Sequence, residues 1–275
     1  MNTISVNNYS QLPYTNSYSP YWQGGVEYPY YNQNREERVE NPAKTLGLAA
    51  LLQAVAVGLQ KGSEFFAKKL EAGKEFTSAE NVNKIADSMI KSNKLDVTVD
   101  FIDHANKYRY SANPALYNEI ETVANGKNAF YLDEAKLAVA PKTKPSLILH
   151  ELGHASNSKN FILKMLQKSR RYAMAAPMVL LIASKLLGKR EDGQKNFIER
   201  NAFGLGFAAF LPTIIEEGTA SLKGINAIKK VPQGVLKGAL NKNILKRNYL
   251  LALATYVIAG LGLGVASKQT IIENS

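Results

Sequence analysis

The chain contains no cysteine in its 275 residues. Disulfides and thiolate metal sites are therefore excluded, and any bound metal must be held by nitrogen and oxygen. Histidine is nearly as scarce, with three in the whole chain. The first basic residue is Arg35, and no apolar run precedes it, so the start lacks both parts of a secretory signal. Acidic residues are missing from two stretches. Residues 155–171 carry five cations (Lys159, Lys164, Lys168, Arg170, Arg171), and 221–247 carry seven (Lys223, Lys229, Lys230, Lys237, Lys242, Lys246, Arg247). Those twelve exceed the net charge of +11. Each stretch borders an apolar segment, as cytoplasmic flanks of membrane helices do, and no nucleic-acid-binding module accompanies them. No nucleic-acid partner is expected.

Residues 1–41 hold seven of the fourteen tyrosines among Asn, Gln, Ser and Pro, without apolar periodicity, and read as a disordered tail. Asn41-Pro42 marks a helix start, Asn as cap and Pro at the first helical position, before the apolar run Leu46 to Leu59. An apolar or amphipathic helix is expected over 42–75, either interfacial, buried or spanning. Ser78 can cap a further helix from Ala79 to about Ser92. Leu95, Val97, Val99 and Phe101 alternate with polar residues as in a half-buried strand, and Asn128 to Leu132 and Lys136 to Ala140 have the same short-strand character. A small sheet is expected there. Three apolar segments follow: 173–187, 202–215 and 249–266. The last, eighteen residues without a charge, is the strongest candidate to span a bilayer. Read as a hairpin, the first two leave four cations in 188–201 on one side and the twelve on the other, which places the basic stretches in the cytoplasm.

The chemistry gathers at His150-Glu151-Leu152-Gly153-His154, preceded by the apolar Pro145 to Leu149. Residues four apart share a helix face, so both imidazoles can converge on one zinc ion. Glu151 lies beside them, placed to take a proton from a metal-bound water and deliver it to a leaving amine. A chain this poor in histidine produces such a motif by chance only roughly two times in a thousand. His104 has no partner pattern and reads as structural or solvated. Two histidines require a third protein ligand, and no third histidine follows nearby, so a downstream carboxylate is expected. Glu216 and Glu217, directly after an apolar segment, are the candidates, since an unpaired carboxylate there would be costly.

The chain resembles the bacterial membrane-bound neutral zinc metallopeptidases, which are similar in turn to the heat-shock and prenyl-protein membrane proteases of HExxH gluzincin type. The resemblance rests on Asn128 to Tyr131, on His150 to Ala155, on Glu217-Gly218-Thr219-Ala220-Ser221 and on Ala252 to Val257. It implies Glu217 as the third ligand. It also implies that Ser221 stands where relatives often have an aspartate orienting a ligand imidazole, a place where serine supplies no negative charge. Tyr256 and Asn157 are guesses for an oxyanion donor.

The expected fold is mainly α with a small β-sheet: a zincin-like metallopeptidase core over 76–267 with membrane-associated helices. The expected activity is zinc-dependent hydrolysis of peptide bonds with one zinc per chain, catalytic Glu151, ligands His150, His154 and Glu217, and Glu216 and Ser221 as orienting or alternative groups. Partners would be a peptide or protein substrate and membrane lipid, at a bacterial cytoplasmic membrane with the site on the cytoplasmic side. The rivals are a membrane scaffold that keeps the motif without turnover and a soluble basic binding protein.

Overall fold

The computed structural model describes residues 42–71, 75, 77–188, 195–229 and 242–274. The tail over 1–41, with the Asn41 cap, lies outside them. The described chain is mainly helical with one three-stranded sheet, as its sequence leads one to expect. Helices are α1 (Pro42–Glu71), α2 (Ala79–Asn93), α3 (Pro114–Ala124), α4 (Leu147–Asn157), α5 (Phe161–Ala173), α6 (Ala176–Leu187), α7 (Phe197–Lys229) and α8 (Lys242–Glu273). The strands are β1 (Thr98–Ile102), β2 (Phe130–Leu132) and β3 (Leu137–Pro141). Two compact units divide them, one containing Glu71–Met165 and Glu216–Leu250, the other Leu166–Ile215 and Leu251–Ser275 with most of α1. Residues 76–267, expected as a single domain, are thus shared between the two.

In the first unit the strand order is β1-β3-β2, with β1 parallel and β2 antiparallel to β3. Every residue of β3 is buried, because alternate side chains enter two apolar layers. Ala138 and Ala140 join Val82, Ile85 and Met89 of α2 and Ile148, Leu149 and Leu152 of α4. Leu137 and Val139 join Ile120 and Val123 of α3 with Ile102 and Phe130. Caps set the helix starts: the Ser78 hydroxyl accepts from the Asn81 amide, and Asn113, followed by Pro114 in the first turn, accepts from Leu116. The alternation read from Leu95 becomes strand only at Thr98, because Lys94 takes a left-handed conformation as it ends α2.

The β2–β3 turn is tied by Asp133, which accepts from the Tyr131 hydroxyl and from Lys136 and also pairs with Lys164. Burial pushes its carboxyl up, but these partners outweigh it and hold the pKa at about 2. The folded value is depressed below 3.8, so the stabilisation is complete above pH 4 and fades as pH falls through 2. Thermal melts of wild type and Asp133→Asn should therefore differ at pH 7 and converge as pH falls from 4 to 2. A gap that persisted unchanged at pH 2 would contradict this.

In the second unit α7 and α8 meet at glycines. A Cβ on Gly264 would lie 2.8 Å from the Phe203 carbonyl oxygen, and one on Gly260 would lie 3.1 Å from the Phe210 ring. This pair of small residues four apart lets two helix backbones approach. Asn196 and Glu199 cap α7 reciprocally, each side chain accepting the other's backbone amide, with Lys268 donating to the Glu199 carbonyl.

Of the three apolar segments, one belongs to a helix long and apolar enough to cross a membrane. That helix covers Ile244–Glu273 and is the sole such helix among the described residues. The segment 173–187 is broken after Ala173, leaving the twelve-residue α6 with Pro177 in its first turn. The segment 202–215 is not a helix of its own. It is the first part of the 33-residue α7, because nothing from Phe197 to Lys229 stops the helix: Pro212 is accommodated within it and Gly218 continues it.

Candidate metal centre

Helix α4 carries the motif, and its rotation is set by burial. Ile148, Leu149, Leu152 and Ala155 enter the core with α2 and β3, which turns His150, Gly153, His154 and Asn157 towards α7. The start of α4 is tied down twice: Glu75 accepts from both the backbone amide and the hydroxyl of Ser146, and the Tyr249 hydroxyl donates to the Ser146 carbonyl. The crossing with α7 is close. A Cβ on Gly153 would lie 2.7 Å from Ala220 Cα, and one on Gly224 would lie 2.9 Å from the Leu149 carbonyl oxygen.

That crossing brings three ligand-type atoms together. His150 Nε2 lies 3.0 Å from His154 Nε2 and 3.0 Å from Glu217 Oε2, and His154 Nε2 lies 3.6 Å from the same carboxylate oxygen. Four donors at ~2.0 to 2.1 Å around a tetrahedral ion lie about 3.3 Å apart, so the triangle has the right size for three of them. Two imidazole nitrogens at 3.0 Å repel through their lone pairs unless a proton or cation lies between them. Charge agrees with shape: Glu151, Glu216 and Glu217 are buried, with exposures of 6%, 0% and 2%. Three buried carboxylates beside two imidazoles call for a cation. The site can therefore hold a metal ion.

The outer ring nitrogens are also engaged. His154 Nδ1 donates to Glu216 Oε1 at 2.7 Å, and His150 Nδ1 lies 3.2 Å from the Ser221 hydroxyl. Both contacts turn Nε2 inward, and the carboxylate acceptor on His154 Nδ1 leaves that ring's Nε2 lone pair available. Adjacent glutamates thus have different tasks: Glu217 faces the triangle and Glu216 orients an imidazole. Negative charge that Ser221 cannot supply to His150 is supplied by Glu216 to His154.

No family model, curated protein or solved structure matches the chain. The site's geometry therefore carries the functional reading.

The protonation states follow from the same packing. Burial pushes the Glu151 carboxyl above its ordinary range, aided by the like charges of Glu217 and Glu216 and opposed by the two histidines. His154 moves the other way from what burial alone would give, up to about 9, because Glu216 and Glu217 favour its charged form. A proton there, or a metal ion against Nε2, answers the same excess of negative charge. A Glu151 oxygen lies within 4.8 Å of a ring nitrogen of each histidine.

The structure places His150, Glu151, His154, Glu216, Glu217 and Ser221 in one cluster, while His104 is exposed. Asn157 is not an oxyanion donor. It is fully buried, and its amide donates to the Glu216 carbonyl, the Glu216 carboxylate and the Thr219 hydroxyl, all on α7. Tyr256 belongs to the second unit. Glu75 and Tyr249 have no marker in sequence, because their partner Ser146 is 71 and 103 residues away. The structural role of Asn157 had a signal in sequence, since three positions after His154 it shares that face of α4.

Proposed function

We propose that the chain is a membrane-associated zinc endopeptidase of zincin type. The observation that carries the reading is the triangle of His150 Nε2, His154 Nε2 and Glu217 Oε2, with Glu151 beside it. Buried oxygen and imidazole donors suit zinc, and three protein ligands leave a fourth position for water, as at catalytic rather than structural sites. When bound, zinc supplies Lewis acidity, lowering the pKa of a coordinated water and polarising a carbonyl.

The chain's own residues supply the rest. Glu151, with its proton affinity raised by burial, accepts the proton released from water and transfers it to the leaving amine nitrogen. Glu216 keeps His154 in the tautomer that offers Nε2, and the Ser221 hydroxyl orients the His150 ring through Nδ1. The His150 side chain keeps 14% exposure against 8% for His154 and 2% for Glu217, so the cluster opens towards substrate on the His150 side. β2 is an edge of the sheet and lies against α4. An extended peptide could pair with that edge by backbone hydrogen bonds, which gives little sequence selectivity and favours unfolded or membrane-proximal chains. The long apolar helix Ile244–Glu273 supports membrane association, and the two basic stretches support a cytoplasmic site.

The test is zinc per chain and casein cleavage on the same samples. Wild type is expected to hold one zinc, and His150→Ala and Glu217→Ala to lose both metal and cleavage. Zinc without cleavage would favour the scaffold without turnover, and a wild-type chain free of zinc would overturn the reading.

A further inference from the structure

Helix α5 leaves large apolar side chains in solvent on one line. Phe161 is 77% exposed, Met165 56% and Tyr172 62%. At 3.6 residues per turn these three and the exposed Lys168 fall within about 60° of one another around the helix. Ile162, 66% exposed, borders the stripe on one side, and Lys164 and the exposed Arg171 border it on the other. Arg171 stacks on the Tyr172 ring at 4.8 Å, and Lys164 reaches back to Asp133. The helix ends in buried Ala173. Exposed aliphatic surface continues on α6 with Met178, Val179, Ile182 and Leu186. No Asp or Glu occurs between Glu151 and Glu191.

We propose that α5 is an interfacial helix that lies on an anionic lipid surface, with Phe161, Met165 and Tyr172 in the headgroup–acyl boundary and Lys168 and Arg171 against lipid phosphates. Both halves of the surface fit that occupant. An apolar stripe of this kind enters the boundary of a bilayer, while cations beside it, unopposed by any acid on the helix, match anionic headgroups and no neutral surface. Aromatic residues with a polar end, such as Tyr172, prefer that depth. The proposal goes beyond the placement of a spanning helix, and it is independent of the protease chemistry.

The absence of cysteine permits a direct test in the full chain. A single environment-sensitive fluorophore is attached at Met165→Cys, at Tyr172→Cys, or at exposed Asn118→Cys as a control. Each protein is combined with vesicles of phosphatidylcholine alone or with phosphatidylglycerol, containing nitroxide lipids labelled near the headgroup or near the chain end. Circular dichroism confirms that each variant is folded. The α5 probes are expected to shift to the blue with anionic vesicles and to be quenched more by the headgroup-proximal nitroxide, while the Asn118 probe does neither. Adding Lys168→Gln and Arg171→Gln to Met165→Cys should weaken the anionic response by about fivefold per cation removed. Absence of lipid quenching, as under a protein partner, would overturn the proposal. Stronger quenching from the chain end, or an equal response to neutral vesicles, would also overturn it. Zinc content and casein cleavage do not enter this readout. Release of the chain by alkaline carbonate would remove the spanning helix while leaving the α5 result intact.

Discussion

Glu151→Gln is expected to keep zinc at the wild-type level while casein cleavage falls by about 10²- to 10⁴-fold, the range attributed to general acid–base catalysis. Glutamine matches glutamate in volume and keeps a carbonyl oxygen, so the buried position on α4 is filled without a cavity. It has no basic site for the proton of an attacking water, and none to return to the amine. In the proposed site the ligand atoms belong to His150, His154 and Glu217, so replacing Glu151 leaves all three in place. One preparation, divided between elemental analysis and a cleavage assay, gives both numbers. Metal lost together with activity would show that Glu151 is a ligand or a structural acid. Undiminished cleavage would remove it from the chemistry altogether.

Gly153→Ala should lower stability by about 3 kcal/mol and metal affinity by at least tenfold, although it adds a single methyl. The added carbon would collide with the Ala220 carbonyl oxygen and lie 2.7 and 2.8 Å from Ala220 Cα and C. These are main-chain atoms of α7, so no side-chain rotation relieves the clash, and the two helices must separate. Separation moves Glu216, Glu217 and Ser221 away from the imidazoles they face. The double variant Gly153→Ala with Ala220→Gly tests this mechanism, because trimming the Ala220 side chain leaves every obstructing atom in place. Thermal melts and zinc titration are expected to show no recovery. Recovery in the double variant would mean that side-chain packing, and not backbone approach, requires glycine at 153.

Several elements were legible because their signals are local. Ser78 caps α2 and the motif helix follows from its apolar run, each within one or two turns of chain, whereas α3, started by Asn113 and Pro114, carries the same kind of local signal and was not anticipated. The three strands were legible from alternation or apolar content, although the start of β1 was decided by Lys94. The length of α7 was obscured because 202–215 has the composition of a separate apolar segment, while helical hydrogen bonding continues wherever no residue breaks it. Asn157 was misjudged for a related reason: a polar side chain near a motif suggests chemistry, and only the position of α7 shows that its amide is already committed.

Residue chemistry and spacing were sufficient for His150, Glu151 and His154 on one helix, for a carboxylate partner near 216–217, and for the absence of any thiolate alternative. A turn of helix places i and i+4 together whatever the rest of the chain does. The separate tasks of Glu216 and Glu217 arise elsewhere. Neighbouring helical positions point about 100° apart, and which of them meets Nε2 and which meets Nδ1 depends on where α7 crosses α4. That crossing is set by Gly153 against Ala220 and Gly224 against Leu149, contacts between residues more than sixty positions apart that no local pattern encodes.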